Sequence, residues 1–221
     1  MSGGWDTILF DLDGTLTDPK VGITTASALA LAHFGIHEEA ENLTKFIGPP
    51  LDETFTEDYG FTPEQCVEAT EVFRAYYVER GWLENVPYEG IEPLLKKLRQ
   101  AGKRLLVATT KPEATAERIL KHFGLAAYFD LICGATPGDQ KGARKVMVIR
   151  DALRRMNIQE PSRAVMVGDR RHDVEGAHGA GLPAIGVLYG YGGREELVRS
   201  GADALAADPD ELYTILMREE R

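Results

Sequence analysis

From about residue 91 the chain alternates short apolar runs with amphipathic stretches, and this alternation limits the fold more tightly than any other feature. Runs at 105–108, 129–133, 164–167, 184–188 and 202–206 read as buried strands. Stretches at 91–100, 113–123, 144–156, 173–180, 194–199 and 209–218 read as helices, three of them closed by Gly102, Gly124 and Gly181. Short strands alternating with helices build parallel strand–helix–strand units around one sheet. A strand of the same kind stands far upstream. It is Thr7-Ile8-Leu9-Phe10, which ends in Asp11 and is followed by an Asp13-Gly14 turn. Between it and residue 91 lie two helical stretches, 21–34 and 64–80, the second entered through Pro63, with a rigid Gly48-Pro49-Pro50 turn between them. The expected architecture is α/β: a Rossmann-like parallel sheet formed by residues 1–17 and 88–221, interrupted by an α-helical insert, residues 18–87.

Charge supports a separate insert. Residues 36–92 hold 14 acidic side chains against 3 basic ones, while the rest of the chain holds 21 against 22. The net charge of -10 over 221 residues disfavours nucleic acid and anionic membrane surfaces as partners, since both need basic surface. Two cysteines, Cys66 and Cys133, supply neither a disulfide framework nor a thiolate zinc site, and both read as small buried hydrophobes. No apolar run reaches the roughly 20 residues of a membrane span. No secretory signal opens the sequence, so a cytoplasmic location is expected.

Open parallel sheets bind ligands beyond the carboxyl ends of their strands. Three strand ends carry chemistry here: Asp11-Leu12-Asp13-Gly14-Thr15, then Thr109-Thr110-Lys111, then Gly168-Asp169 with Asp173 four residues on. Carboxylates gathered in one crevice repel each other, and a divalent cation relieves the repulsion. All-oxygen ligands with few carboxylates suit Mg²⁺ shared with a phosphate. An EF-hand loop is excluded, because Thr15, Leu16 and Gly22 stand where that loop needs an acidic residue, Gly and Glu. Simpler readings exist for each piece alone: Asp13-Gly14 as a plain turn, Asp169 as a helix cap, and Thr109-Thr110 as the N-cap of the 113–123 helix.

Together the pieces resemble the signatures of the haloacid dehalogenase superfamily. Asp11-Leu12-Asp13-Gly14-Thr15-Leu16-Thr17-Asp18 is similar to its first signature, Val107-Ala108-Thr109-Thr110-Lys111 to its second, and Val167-Gly168-Asp169-Arg170-Arg171-His172-Asp173 to its fourth. Gly48-Pro49-Pro50-Leu51, Asn85 and Gly186-Val187-Leu188-Tyr189-Gly190-Tyr191-Gly192 resemble the subgroup of phosphoglycolate phosphatases and related 5′-nucleotidases, which carries a helical cap. The resemblance implies a nucleophile, Asp11, that forms an aspartyl-phosphate, and a general acid–base, Asp13. It implies Mg²⁺ on Asp11, the Asp13 carbonyl and Asp169, with Asp173 supporting the metal shell. It also places phosphate oxygens on Thr109, Thr110 and, by position, Lys111.

The third signature is a Lys at the head of the helix before the 164–167 strand, and no Lys-Pro pair marks it. Lys141 and Lys145 both qualify. Counting back from the apolar stretch 148–153 favours Lys145. The expected function is Mg²⁺-dependent hydrolysis of a small, phosphoglycolate-like phosphate monoester. A 5′-nucleotidase, a sugar-phosphate mutase and a catalytically silent binding module are the alternatives. Asp13 argues against the dehalogenase and phosphonatase branches, which lack an Asp there. Lys20, Lys45, Arg74 and Tyr77 are the candidate substrate contacts of the insert.

Overall fold

The computed structural model describes residues 4–135 and 145–218. The chain separates into two compact units, one of residues 1–17 with 87–221 and one of residues 18–86.

The first unit is built on a six-stranded sheet with the order β5-β4-β1-β6-β7-β8. Its strands are β1 (Thr7–Phe10), β4 (Arg104–Pro112), β5 (Leu131–Ala135), β6 (Ala164–Gly168), β7 (Ala184–Val187) and β8 (Ala204–Ala206). Every pairing is parallel, and β1 lies in register between β4 and β6, with Phe10 beside both Val107 and Val167. All four β1 residues are buried, as a central strand covered on both faces must be. The chain runs outward from β1 to β5 and then crosses back to β6. That reversal makes β1 the switch point, where such sheets open a crevice.

The helices of this unit are α4 (Ile91–Gln100), α5 (Glu113–His122), α6 (Lys145–Arg155), α7 (Arg171–Ala180), α8 (Gly193–Arg199) and α9 (Pro209–Leu216). Each buries a stripe set by the 3.6-residue period. In α4 the stripe is Ile91, Leu94, Leu95 and Leu98; in α6 it is Val148, Ile149, Ala152 and Leu153. The α6 stripe packs with Leu9, Leu106, Cys133 and Met166 in one core.

The second unit is helical, with α1 (Lys20–His33), α2 (Leu51–Tyr59) and α3 (Pro63–Glu79). A capping box starts α3: the Thr62 hydroxyl accepts from the Gln65 N–H, and the Gln65 side chain accepts from the Thr62 N–H. Gly22 and Gly81 allow the backbones to touch, since a Cβ on Gly22 would stand 2.1 Å from the Gly81 carbonyl oxygen. Thr17–Asp18 (β2) and Val86–Pro87 (β3) pair as a short separate ribbon. Cys66 and Cys133 are both buried and free. Among the described residues no helix is long and apolar enough to cross a membrane.

Several elements differ from the sequence reading: the strand read at 129–133 is Leu131–Ala135, the one at 202–206 begins at Ala204, and the helix read at 173–180 begins at Arg171. The α2 helix was not expected after the Gly48-Pro49-Pro50 turn. Its signals are local: Asp52 and Glu53 in the first turn, and Gly60 in the left-handed conformation past its end. The strand expected at 105–108 runs on to Pro112, through a register shift against β5 between Ala108 and Pro112. That extension overturns the N-cap reading of Thr109-Thr110, because both lie inside β4 and the residue capping α5 is Pro112. The last helix stops at Leu216 rather than 218.

Candidate active site

The carboxyl ends of β1, β4 and β6 each deliver one part of the site, and α6 and α7 deliver the rest. Asp11 follows β1, its N–H bonded to the Val167 carbonyl of β6 at 2.9 Å. Asp169 follows β6, and Asp173 sits one turn into α7. Carboxylate oxygens of Asp11, Asp169 and Asp173 all lie within 4.8 Å of one another, and all three residues are buried.

Lys145, the first described residue of α6, enters this trio. Its Nζ stands 2.7 Å from Asp11 Oδ1, 2.7 Å from Asp173 Oδ1 and 3.0 Å from the Ala108 carbonyl oxygen, to which it donates. The side chain is only 3% exposed, so bulk water does not screen these pairs. Burial works against the ammonium, yet Asp11 and Asp173 outweigh it and hold Lys145 firmly protonated. Gly176 of α7 leaves the space for its stem; a Cβ there would stand 2.7 Å from Lys145 Cγ.

One lysine does not neutralise three carboxylates. Burial pushes Asp169 well above the usual carboxylate range, and the charges of Asp173 and Asp11 push the same way. Burial raises Asp173 too, against the pull of Lys145. Asp169 takes neutral donors, the Tyr191 N–H at 2.8 Å and the Thr15 hydroxyl at 3.4 Å. A divalent cation is what such a set of buried hard oxygens fits, and Mg²⁺ or Ca²⁺ are the ions that favour oxygen ligands.

Asp13 stands apart from the trio. Its Oδ2 is paired with Lys111 Nζ at 2.5 Å, both side chains being largely buried. Burial raises its carboxyl above the ordinary range despite that lysine. The site therefore brings together Asp11, Asp13, Asp169, Asp173, Lys111 and Lys145. Thr109 is buried inside β4, its hydroxyl oxygen accepting from the Lys111 N–H at 3.2 Å. Thr110 is its half-buried neighbour on that strand. Lys141 falls outside the described residues.

Glycines set the closeness of this packing. A Cβ on Gly14 would fall 2.2 Å from Asp169 Oδ2, one on Gly168 2.2 Å from Asp173 Cγ, and one on Gly190 2.3 Å from Asp169 Cβ. Gly14 also has φ +84°, the left-handed region. The Lys111–Asp13 pair, the Thr15 hydroxyl and the Tyr191 N–H were not anticipated from sequence. The one available signal was the glycine-rich run 190–193. Of the candidate contacts in the helical unit, Lys45 lies 4.6 Å from the centre of the Tyr59 ring and 3.7 Å from Glu38, and the Tyr77 hydroxyl accepts from Asn85 at 3.2 Å. Both are thus engaged inside their own unit.

Comparison with known proteins agrees with this geometry. The sequence pattern described as haloacid dehalogenase-like hydrolase matches residues 8–187. The chain is 43% identical to the tyrosine-protein kinase PtkA of Mycobacterium tuberculosis, over 95% of this chain and 72% of that protein. It is 41% identical to a 5′-nucleotidase of Pseudomonas aeruginosa, over 86% of each. A crystal structure described as a predicted phosphatase from Clostridium acetobutylicum superposes with a TM-score of 0.92 at 43% identity, covering 96% of this chain and 98% of that one.

Proposed function

The chain belongs to the haloacid dehalogenase-like hydrolases and is a phosphoric monoester hydrolase; from that premise we propose that it hydrolyses a small, phosphoglycolate-like monoester with Mg²⁺, through an aspartyl-phosphate on Asp11. The observation that carries this reading is the buried Asp11–Asp169–Asp173 trio with Lys145 inside it. An acidic pocket of that kind serves a dianionic ester only with added positive charge.

The proposed steps follow from position. An Asp11 carboxylate oxygen attacks phosphorus in line with the leaving oxygen; the bond from phosphorus to that oxygen breaks as the Asp11–phosphorus bond forms. Asp13 gives its proton to the leaving oxygen. Asp13 then takes a proton from a water molecule that attacks phosphorus, which breaks the bond to Asp11 and frees inorganic phosphate. Lys145 offsets charge on Asp11 and on the transferring group. Thr109 and Thr110, in the carboxyl-terminal half of β4, hold phosphate oxygens, and Lys111 keeps Asp13 in reach. Asp11, the Asp13 carbonyl and Asp169 would hold Mg²⁺, with Asp173 behind them. The ion would supply neutralisation of the phosphate beside these carboxylates.

A second substrate class, the nucleoside 5′-monophosphates, is favoured by the 41% identity to a 5′-nucleotidase. The similarity to a protein named a tyrosine kinase adds a tyrosine hydroxyl as an acceptor to be tried. The test is phosphate release from a panel holding phosphoglycolate, nucleoside monophosphates, alkyl phosphates and a nitrophenyl ester, with ATP plus a tyrosine peptide as a separate arm. Expected is metal-dependent release that stops with excess chelator and returns with Mg²⁺, Ca²⁺ being a poor substitute. Full activity in chelator sinks the metal assignment, and no release from any ester sinks the phosphatase mechanism.

A further inference from the structure

Beyond the residues that meet the phosphate, we propose that Tyr189 is a positioning residue, whose hydroxyl holds the turn that carries Asp13 and ties that turn to Asp169. The inference rests on the mechanism proposed above for Asp13. Tyr189 lies in the loop between β7 and α8, remote in sequence from every residue named in that mechanism. Its hydroxyl donates to the Thr15 carbonyl at 3.2 Å. Thr15 in turn donates its own hydroxyl to Asp169 Oδ1, and Asp169 Oδ2 accepts from the Tyr191 N–H two residues beyond Tyr189. The contacts close a ring: Tyr189, Thr15, Asp169, Tyr191 and back along the chain.

This ring grips the turn from outside. Inside the turn, the Leu12 carbonyl accepts from the N–H groups of Thr15, Leu16 and Thr17, and the Gly14 N–H donates to the Thr17 carbonyl. The Leu16 carbonyl is taken by the Tyr88 N–H, and the Tyr88 ring packs on the Tyr189 ring, centroids 5.1 Å apart. The Thr15 carbonyl is thus where Tyr189 holds a turn whose Leu12, Leu16 and Thr17 carbonyls are already bound. The loop cannot stand back from it, because Gly190 approaches so closely that a Cβ there would meet the Gly14 carbonyl oxygen at 2.4 Å. Burial raises the Tyr189 phenol, so it stays a donor at neutral pH. Asp13, two residues from Thr15, takes its orientation from this turn at one end and from Lys111 at the other. A general acid has to sit within hydrogen-bond reach of the leaving oxygen, so a loosened turn acts on the proton-transfer step first.

The test is Tyr189→Phe, which keeps the ring and its packing on Tyr88 and removes one oxygen. Single-turnover phosphoryl transfer from an alkyl phosphate is expected to fall about three- to tenfold, the size of one neutral hydrogen bond. Transfer from a nitrophenyl phosphate, whose leaving group needs no proton, is expected to fall less than twofold. In an Asp13→Ala background, Tyr189→Phe is expected to add no further loss. Equal losses for both esters, or a further loss without Asp13, would mean that the phenol only supports the fold and would overturn the assignment. Wild-type rates in Tyr189→Phe overturn it as well. A wild-type chain inactive on both esters overturns the phosphatase mechanism itself, and this assignment with it.

Discussion

Lys145→Ala tests the electrostatics of the site directly. The ammonium is shared between Asp11 and Asp173 at 2.7 Å each, in a position 3% exposed. Removing one partner of a buried ion pair leaves the other charge uncompensated and costs about 3–5 kcal/mol. Here two carboxylates lose their partner and Asp169 stays beside them, so the upper part of that range applies without metal. For a chain of this length, each kcal/mol corresponds to roughly 2–4 °C in Tm. A fall of roughly 10 °C or more is therefore expected in chelator by thermal unfolding. Saturating Mg²⁺ should recover part of it by supplying charge to the same oxygens. Turnover with Mg²⁺ saturating should drop on the order of 10²–10³-fold, the effect of losing a preorganised charge partner of the transition state. Lys141→Ala should change Tm and turnover little. If Lys145→Ala keeps near wild-type turnover and Tm while Lys141→Ala is crippled, the register assigned to the third signature is wrong.

Other substitutions separate the remaining roles. Asp11→Asn should abolish turnover while the fold and ester binding persist, because the covalent step runs through its carboxylate; rapid acid quench of the wild type with a ³²P-labelled ester should trap a phosphoryl-enzyme on Asp11, and its absence, or its presence in Asp11→Asn, would exclude the covalent step on that residue. Asp13→Ala should cost on the order of 10²–10⁴-fold on alkyl esters and less on a nitrophenyl ester in the first step; equal losses would remove Asp13 from the acid role. Gly190→Ala should destabilise by about 1–3 kcal/mol in urea unfolding, since its Cβ would stand 2.3 Å from Asp169 Cβ and 2.4 Å from the Gly14 carbonyl oxygen; wild-type stability would contradict the close approach. Asp203 is held below the usual carboxylate range, burial being outweighed by the Ala184 N–H at 2.8 Å and by His178. Its folded value is the depressed one, so its contribution is present above pH ~4 and is lost as pH falls through that lower value. The Asp203→Ala deficit should accordingly be present at pH 7 and shrink by pH 3.

The sheet and most helices were legible because each carries its own period and its own stop. The stripe Ile91, Leu94, Leu95 and Leu98 followed by Gly102 defines α4 without help from the rest of the chain. The α2 helix escaped because it is short and buries little, Thr54 and Phe55, so no stripe could be counted. The end of β4 escaped for a different reason. Thr109-Thr110-Lys111 has the composition of a turn, and the β5 pairs on either side of it, Ala108 with Cys133 and Pro112 with Ala135, keep it within the strand, a tertiary effect that local propensity does not carry. Lys145 was readable as more than a surface lysine because it stands three, four and seven residues before Val148, Ile149 and Ala152, on the face that α6 buries. The Lys111–Asp13 pair joins residues 98 apart, and Tyr191 contributes a backbone N–H, a donor that no residue type announces.

That division between legible and illegible parts follows from how the charge is held. A segment that kept Asp11, Asp169 and Asp173 within 4.8 Å by itself would have to pay their repulsion out of local backbone preference, which is worth tenths of a kcal/mol per residue. The observed solution distributes the load. Asp11 follows β1, Asp169 follows β6 and Asp173 lies in the first turn of α7, and Val165, Met166 and Val167 on β6 lock against Ile8, Leu9 and Phe10 on β1. The strands are spaced by their ladder, so the crevice width is fixed by hydrogen bonds rather than by the acidic side chains. The glycines at 14, 168 and 190 then let those side chains close the remaining distance. Sequence can state which residues sit at strand ends; their convergence comes from the order β4-β1-β6, which is a property of the whole sheet. The same reasoning explains why the supporting contacts come from loops after β1 and β7. Only an element anchored on a neighbouring strand can brace a buried carboxylate without bringing another charge to it.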